Sequence, residues 1–207
     1  MSTQASYDQV ADEYVLRIYD ELKHKPLDRQ LLDQLVLEAR GGLICDIGCG
    51  PGHVARYLHE QGANVCGIDL SDMMVERARE LNPGIEFRQG DMTALDVNGG
   101  SFAAIAAFYS LIHISREEMV PVLGELRRVL RPDGLLLAAV HLGDSTLHLD
   151  EWWGHPVSVD FHFFGSAEMS AWLEDARFVV TSIIEREPYT LIEHPSRRAY
   201  LFAKPTG

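Results

Sequence analysis

Basic residues and long apolar runs are both scarce in this chain, and each shortage removes a class of function. Lysine and arginine number 18 against 31 aspartates and glutamates, a formal charge of −13. Such a surface repels polyanions before contact forms, so nucleic acid and anionic membranes are not expected partners. No window approaches the roughly 20 apolar residues of a membrane span. The opening MSTQASYDQVADEY has neither the basic nor the apolar segment of a secretion leader, so a cytoplasmic location is expected. Cysteine is scarce too: three residues, an odd number, make no disulfide framework. Cys45 and Cys66 sit in apolar strand-like runs, where packing rather than metal binding is expected of them. The histidines show no H-E-x-x-H or tight H-x-x-H spacing, and no metal site is assigned. His141, His148, His155 and His162 do recur every seven residues, but Gly154 and Pro156 break any helix that would align them.

What is present is a helical opening followed by alternating strand and helix. Tyr7, Val10, Ala11, Tyr14, Val15, Ile18 and Leu22 step by three and four residues, one face of a helix. A second helix follows from Pro26, with Leu27, Leu31, Leu32, Leu35 and Val36 as its stripe and Gly41 and Gly42 as its stop. Aliphatic runs at 43–47, 64–68, 85–88, 102–108 and 135–141 then alternate with helical patterns at 52–61, 71–81 and 116–130. Near-continuous apolar strands separated by helices predict a doubly wound α/β fold with a mostly parallel sheet covered on both faces. Ser71 with Asp72 marks one helix start, Ser115 with Glu118 reads as a capping box, and Pro132-Asp133-Gly134 turns the chain into the fifth strand. Residues 143–165 read as a loop-like insert, 166–176 as a helix, and 178–186 and 198–203 as a closing pair of strands. One domain over 1–207 is expected, with 1–40 as a helical lid and 41–142 as the core.

The stretch ICDIGCGPGHVA, residues 44–55, joins the first strand to a helix through Gly48, Gly50 and Gly52. In a parallel sheet this turn floors the ligand crevice, and bare backbone there lets a ligand approach closely. An NAD(P)-dependent oxidoreductase also places glycines here. Against it, the third glycine of the dinucleotide pattern would fall at His53, and Asp46 would point a negative charge at a pyrophosphate. Asp46 instead favours a ligand carrying positive charge.

These residues resemble the class I S-adenosylmethionine-dependent methyltransferases, small-molecule type. DIGCGPG is similar to the family's first motif, GIDLSDMM to its second and QGDMTAL to its third. FAAIAAFYSLIHI resembles the fourth strand and the loop after it, LRRVLRPDGLLLAAV the helix, turn and fifth strand that follow, and the tail from Ala176 the final antiparallel hairpin. The resemblance implies a seven-stranded Rossmann-like sheet, S-adenosylmethionine as cofactor and S-adenosylhomocysteine as product. It further implies that Asp46, Gly48, Cys49, Gly50 and Gly52 form the glycine turn of the cofactor site. Asp69 would take both ribose hydroxyls, Leu70 and Met74 would pack on adenine, and Gly90, Asp91 and Met92 would border the adenine amino group.

Methyl transfer is an in-line displacement, so alignment carries much of the catalysis, worth roughly 7–11 kcal/mol. A hydroxyl or protonated nitrogen acceptor would also need a base. Tyr109 and His113, just past the fourth strand, are the catalytic candidates: His113 as base, and Tyr109 orienting substrate by its hydroxyl while its ring lines the cofactor. Tyr14, His141, Glu151, Trp152 and His155 are the candidate acceptor wall, and the insert's aromatic and polar mixture suits a small-molecule pocket. The acceptor atom stays open among O, N, S and C, the protein is expected to be a monomer or homodimer, and a non-catalytic S-adenosylmethionine-binding module is the remaining alternative.

Overall fold

Side-chain alternation assigns successive residues of each apolar strand to opposite faces of one sheet. Along β5 (Leu130–His141), Leu135, Leu137 and Ala139 join one hydrophobic cluster while Leu136, Ala138 and Val140 join another. β4 (Phe102–Phe108) divides the same way, with Ala104 and Ala106 on one face and Ile105 and Ala107 on the other. Both faces are therefore apolar and both must be covered, as expected of a parallel sheet.

The computed structural model describes residues 1–206. β1 (Ile44–Ile47), β2 (Val65–Asp69), β3 (Glu86–Gln89), β4 and β5 pair in parallel, and β8 (Phe178–Arg186) and β9 (Arg198–Pro205) complete the order β3-β2-β1-β4-β5-β9-β8, with β9 antiparallel to both its neighbours. The chain thus has the seven-stranded Rossmann-like sheet expected of it. Helices α2 (Pro26–Ala39), α3 (His53–Glu60) and α4 (Asp72–Leu81) pack on one face, and α5 (Arg116–Val129) and α6 (Ser166–Asp175) on the other. Leu32 and Leu35 of α2 are wholly buried, each contributing about 1.5–3 kcal/mol relative to exposure. Among the described residues no helix is long and apolar enough to cross a membrane.

Three local expectations change. Residues 143–165 are not a loop: β6 (Thr146–Trp152) and β7 (His155–His162) form an antiparallel hairpin. Trp153 (φ 54°) and Gly154 (φ 85°) make its two-residue turn, both left-handed as a turn matching the strand twist requires. Ser115 makes no cap to the backbone of α5, because its Oγ donates to the Glu118 carboxylate instead. Residues 131–134 remain within β5, and the extra residues are taken up as an irregularity against β4 between Phe102 and Ala104.

Helix α1 (Thr3–Ile18) lies on the hairpin and on α4. Ser6 Oγ donates to the Ser158 carbonyl and accepts from the Ser158 amide at 3.1 and 3.0 Å. Asp8 accepts from Ser71 Oγ and the Met73 amide at the start of α4, and Val10 packs on Val157 and Val159. Of the two N-terminal helices, α1 roofs the carboxyl ends of the strands, while α2 belongs to the helical layer.

Positive φ at Gly48 (67°), Gly50 (53°) and Gly52 (81°) explains the spacing of glycines after β1. At Gly50 a Cβ would meet nothing nearer than Tyr14 Cε1 at 3.8 Å, so substitution there tests the backbone alone. Gly50→Ala is expected to cost about 1–2 kcal/mol of unfolding free energy, measured as a shift in urea midpoint without a change in slope.

Candidate active site

β1 lies between β2 and β4, so the strand order reverses there and a crevice opens at the carboxyl ends. Two cavities fill it. The smaller, about 230 Å³, is lined by the turn after β1 (Gly48, Gly50), the end of β2 (Asp69, Leu70) and the loop after β3 (Gly90, Asp91, Met92). The larger, about 450 Å³, lies under the β6–β7 hairpin. Tyr7, Tyr14, Glu21 and Tyr109 line both and form the junction.

The turn's amides are already committed. Gly48 and Cys49 donate to the Ile68 carbonyl (2.7 and 3.2 Å), Gly50 to Asp69 Oδ2 (2.7 Å) and Gly52 to the Cys49 carbonyl (3.0 Å). Asp69 Oδ1 accepts from the Ser71 amide at 2.8 Å, so its carboxylate braces the turn and the start of α4 at once. Burial pushes its carboxyl up to about 6 against those donated hydrogen bonds. Asp91 Oδ1 accepts from the Thr93 amide. The carboxylates lining the smaller cavity are Asp69, Asp91 and Glu21, and no lysine or arginine lines it among the described residues. Burial opposes ionisation of Glu21, but His53 and Lys25 beside it outweigh this and hold it near 2.

Four residues expected at the cofactor lie beneath the cavity wall instead. Asp46 is buried with Oδ2 accepting from the Ala55 amide of α3, and burial pushes its carboxyl up to about 8, so it holds its proton near neutrality. Cys49 is buried against Gly67, Gly52 against Phe87, and Met74 is wholly buried.

Tyr109 has φ of 54°, a strained backbone for a non-glycine residue. Its hydroxyl is turned away from the junction, to Tyr200 Oη at 3.0 Å and Asp28 Oδ1 at 3.4 Å, so the ring alone faces both cavities. The expected orienting role of that hydroxyl is therefore not available. His113 has both ring nitrogens engaged. Nδ1 is 2.8 Å from the Asp160 carbonyl, which can only accept, so Nδ1 carries the proton and Nε2 accepts from Tyr7 Oη at 2.7 Å. Burial lowers its pKa to about 4, and it does not titrate near neutrality as its type suggests.

Of the expected acceptor wall, Tyr14, His141 and Trp152 line the larger cavity. Glu151 does not: it pairs with Pro156 on the face opposite Trp152 and is exposed. His155 pairs with Trp152 at the hairpin tip, off the cavity wall. Residues not anticipated from sequence include Lys25, Glu193 and Arg198. Lys25 Nζ contacts Glu21 (2.8 Å) and Glu193 (3.4 Å), and Arg186 bridges Asp28 (3.0 Å) and Glu193. Tyr7 lies with Tyr14 on the helix expected to close over the cofactor, whereas the charged cluster joins 21–28 to 186–198, which no local pattern connects.

A family profile described as a methyltransferase domain matches residues 44–134. Malonyl-[acyl-carrier protein] O-methyltransferase of Pectobacterium atrosepticum is 32% identical over 120 residues, covering 57% of this chain and 46% of that protein. The chain spans about half the length of the curated relatives it matches. A S-adenosylmethionine-dependent methyltransferase of Methanosarcina mazei has the same fold (TM-score 0.75, 19% identity, 85% of this chain and 97% of the other). The protein of a DhpI–SAH complex does too (TM-score 0.74, 18% identity, 98% of this chain and 95% of the other).

Proposed function

We propose that the chain, whose residues 44–134 match a methyltransferase domain profile, is a class I S-adenosylmethionine-dependent methyltransferase that methylates a small molecule held in the larger cavity. The observation that carries this reading is the lining of the smaller cavity, three carboxylates with no lysine or arginine, over a glycine turn whose amides are internally bonded. A pyrophosphate needs free amides and positive charge, whereas a sulfonium nucleoside with an amino group needs neither. The same lining counts against the nicotinamide oxidoreductase. Two cavities meeting at four shared side chains favour an enzyme over a module that only binds the cofactor.

In this reading Asp69 accepts from the ribose hydroxyls through the lone pairs left free by Gly50 and Ser71. Leu70 and Met92 flank the adenine, Asp91 accepts from its amino group, and Glu21 with His53 faces the amino-acid end. Among the described residues the buried His53 Nδ1 has no hydrogen-bond partner. When bound, S-adenosylmethionine supplies an electrophilic methyl group on a sulfur that leaves uncharged. Tyr14 and the Tyr109 ring exclude water from the junction and present aromatic faces to positive charge. An acceptor that must lose a proton passes it to Tyr7 Oη as the Tyr7 proton moves to His113 Nε2. The weak basicity of His113 suits a nucleophile that ionises readily, a phenol more than an alkyl alcohol. The three free cysteines and the acidic surface support a cytoplasmic enzyme without nucleic acid partners.

The test is a library of small-molecule acceptors read by release of S-adenosylhomocysteine: turnover with at least one neutral small molecule is expected, and turnover confined to nucleic acid or protein would overturn the acceptor class. A pH dependence follows from Asp69. Its carboxylate form is the one that accepts from ribose, so protonation competes with binding. S-adenosylhomocysteine affinity is expected to be flat from about pH 8 to about pH 7 and then to fall through pH 6, towards tenfold per unit. Calorimetry across that range checks it, and Asp69→Asn should remove the slope centred near 6.

A further inference from the structure

Resting on the assignment of the larger cavity to the acceptor, we infer that the acceptor is a neutral aromatic molecule of two or three rings. About 150 Å³ suffices for one benzene ring, so the cavity's volume of about 450 Å³ admits a few rings and no polymer. Its walls are flat: Tyr14, Trp152, Trp153, Phe161 and Phe163 surround it, with Trp152 edge-on to Tyr14 and Phe161 at 5.8 and 5.4 Å. Rings stack favourably on such walls, and edge-to-face pairs add about 0.5–1.5 kcal/mol beyond burial.

Charge at the cavity floor is already balanced. Lys25 contacts Glu21 and Glu193, Arg198 lies 3.3 Å from Glu193, and Arg186 behind them pairs Glu193 with Asp28. Three carboxylates thus face three cations. Two histidines also face this end, and burial with nearby Arg198 keeps both His141 and His194 below their ordinary pKa, so neither adds charge at neutral pH. A charged acceptor would find every charged side chain lining the cavity already paired. Arg198 adds no free charge either: it is 2% exposed, its Nε lies 3.3 Å from Glu193 Oε2, and its guanidinium also donates to the His194 carbonyl.

The experiment saturates the whole protein with S-adenosylhomocysteine and titrates naphthol, hydroxynaphthoate and (aminomethyl)naphthol, read by tryptophan fluorescence and by calorimetry. Naphthol is expected to bind, with each charged analogue weaker by at least about tenfold. Trp152→Ala, outside the cofactor cavity, should weaken naphthol several-fold and leave S-adenosylhomocysteine affinity unchanged. Failure of S-adenosylhomocysteine to bind would refute the cofactor reading itself. If it binds but naphthol does not, or if either charged analogue binds as tightly as naphthol, the acceptor inference is overturned while the cofactor reading stands.

Discussion

Replacing Asp69 with alanine is expected to weaken S-adenosylhomocysteine binding by roughly 10²–10⁴-fold. Hydrogen bonds to a charged group are worth about 1.5–3 kcal/mol each, and the proposed ribose contact supplies two. Each tenfold is about 1.4 kcal/mol. The substitution also frees the Gly50 and Ser71 amides, which Asp69 holds at 2.7 and 2.8 Å, so part of the loss is a loosened turn. Asp69→Asn separates the two contributions: one amide oxygen still accepts, and a loss nearer tenfold is expected. Calorimetry with S-adenosylhomocysteine measures both, and an Asp69→Ala protein that kept wild-type affinity would remove the ribose assignment.

The second large effect is on stability. Arg186 reaches Asp28 Oδ2, the Glu193 carboxylate and Tyr200 Oη, while Asp28 is wholly buried and Glu193 nearly so. Arg186→Met leaves two buried carboxylates facing only Lys25 and Arg198. Breaking a buried ion pair from one side costs about 3–5 kcal/mol, and for a chain of this size that lowers the melting temperature by about 6–20 °C. Restoring balance should recover part of it, so Arg186→Met with Asp28→Asn is expected to be more stable than Arg186→Met alone. An unfolding free energy from urea denaturation within about 1 kcal/mol of wild type for the single variant would show that the cluster is solvated and structurally idle.

The sheet was legible because its determinants are local. Continuous apolar runs at 44–47, 65–69 and 102–108 are what two covered faces require, and the glycines at 48, 50 and 52 are what a left-handed turn requires. The hairpin over the acceptor cavity was present in the sequence as Val157, Val159, Phe161 and Phe163 alternating with Ser158, Asp160 and His162. It was obscured by its turn, since Trp153-Gly154 is not one of the pairs that usually announce a two-residue turn. Site residues divide by distance along the chain. Asp69, Leu70, Asp91 and Tyr109, at or just past strand ends, line the smaller cavity, because residues leaving the carboxyl end of a parallel strand border the crevice there. Asp46, Cys49 and Met74 sit close in sequence to the wall but point into the layer beneath, a difference that spacing does not encode. Contacts such as Tyr7 with His113, 106 residues apart, and Asp28 with Arg186, 158 apart, depend on the finished fold and leave no local trace.

The central claim is that the acid-lined crevice above the glycine turn seats a sulfur-containing nucleoside and not a dinucleotide. Calorimetric titration of the wild-type protein with S-adenosylhomocysteine and, separately, with NAD at neutral pH tests it most directly. Saturable binding of the nucleoside with no heat from the dinucleotide is predicted; saturable binding of NAD, or no binding of S-adenosylhomocysteine, would contradict it.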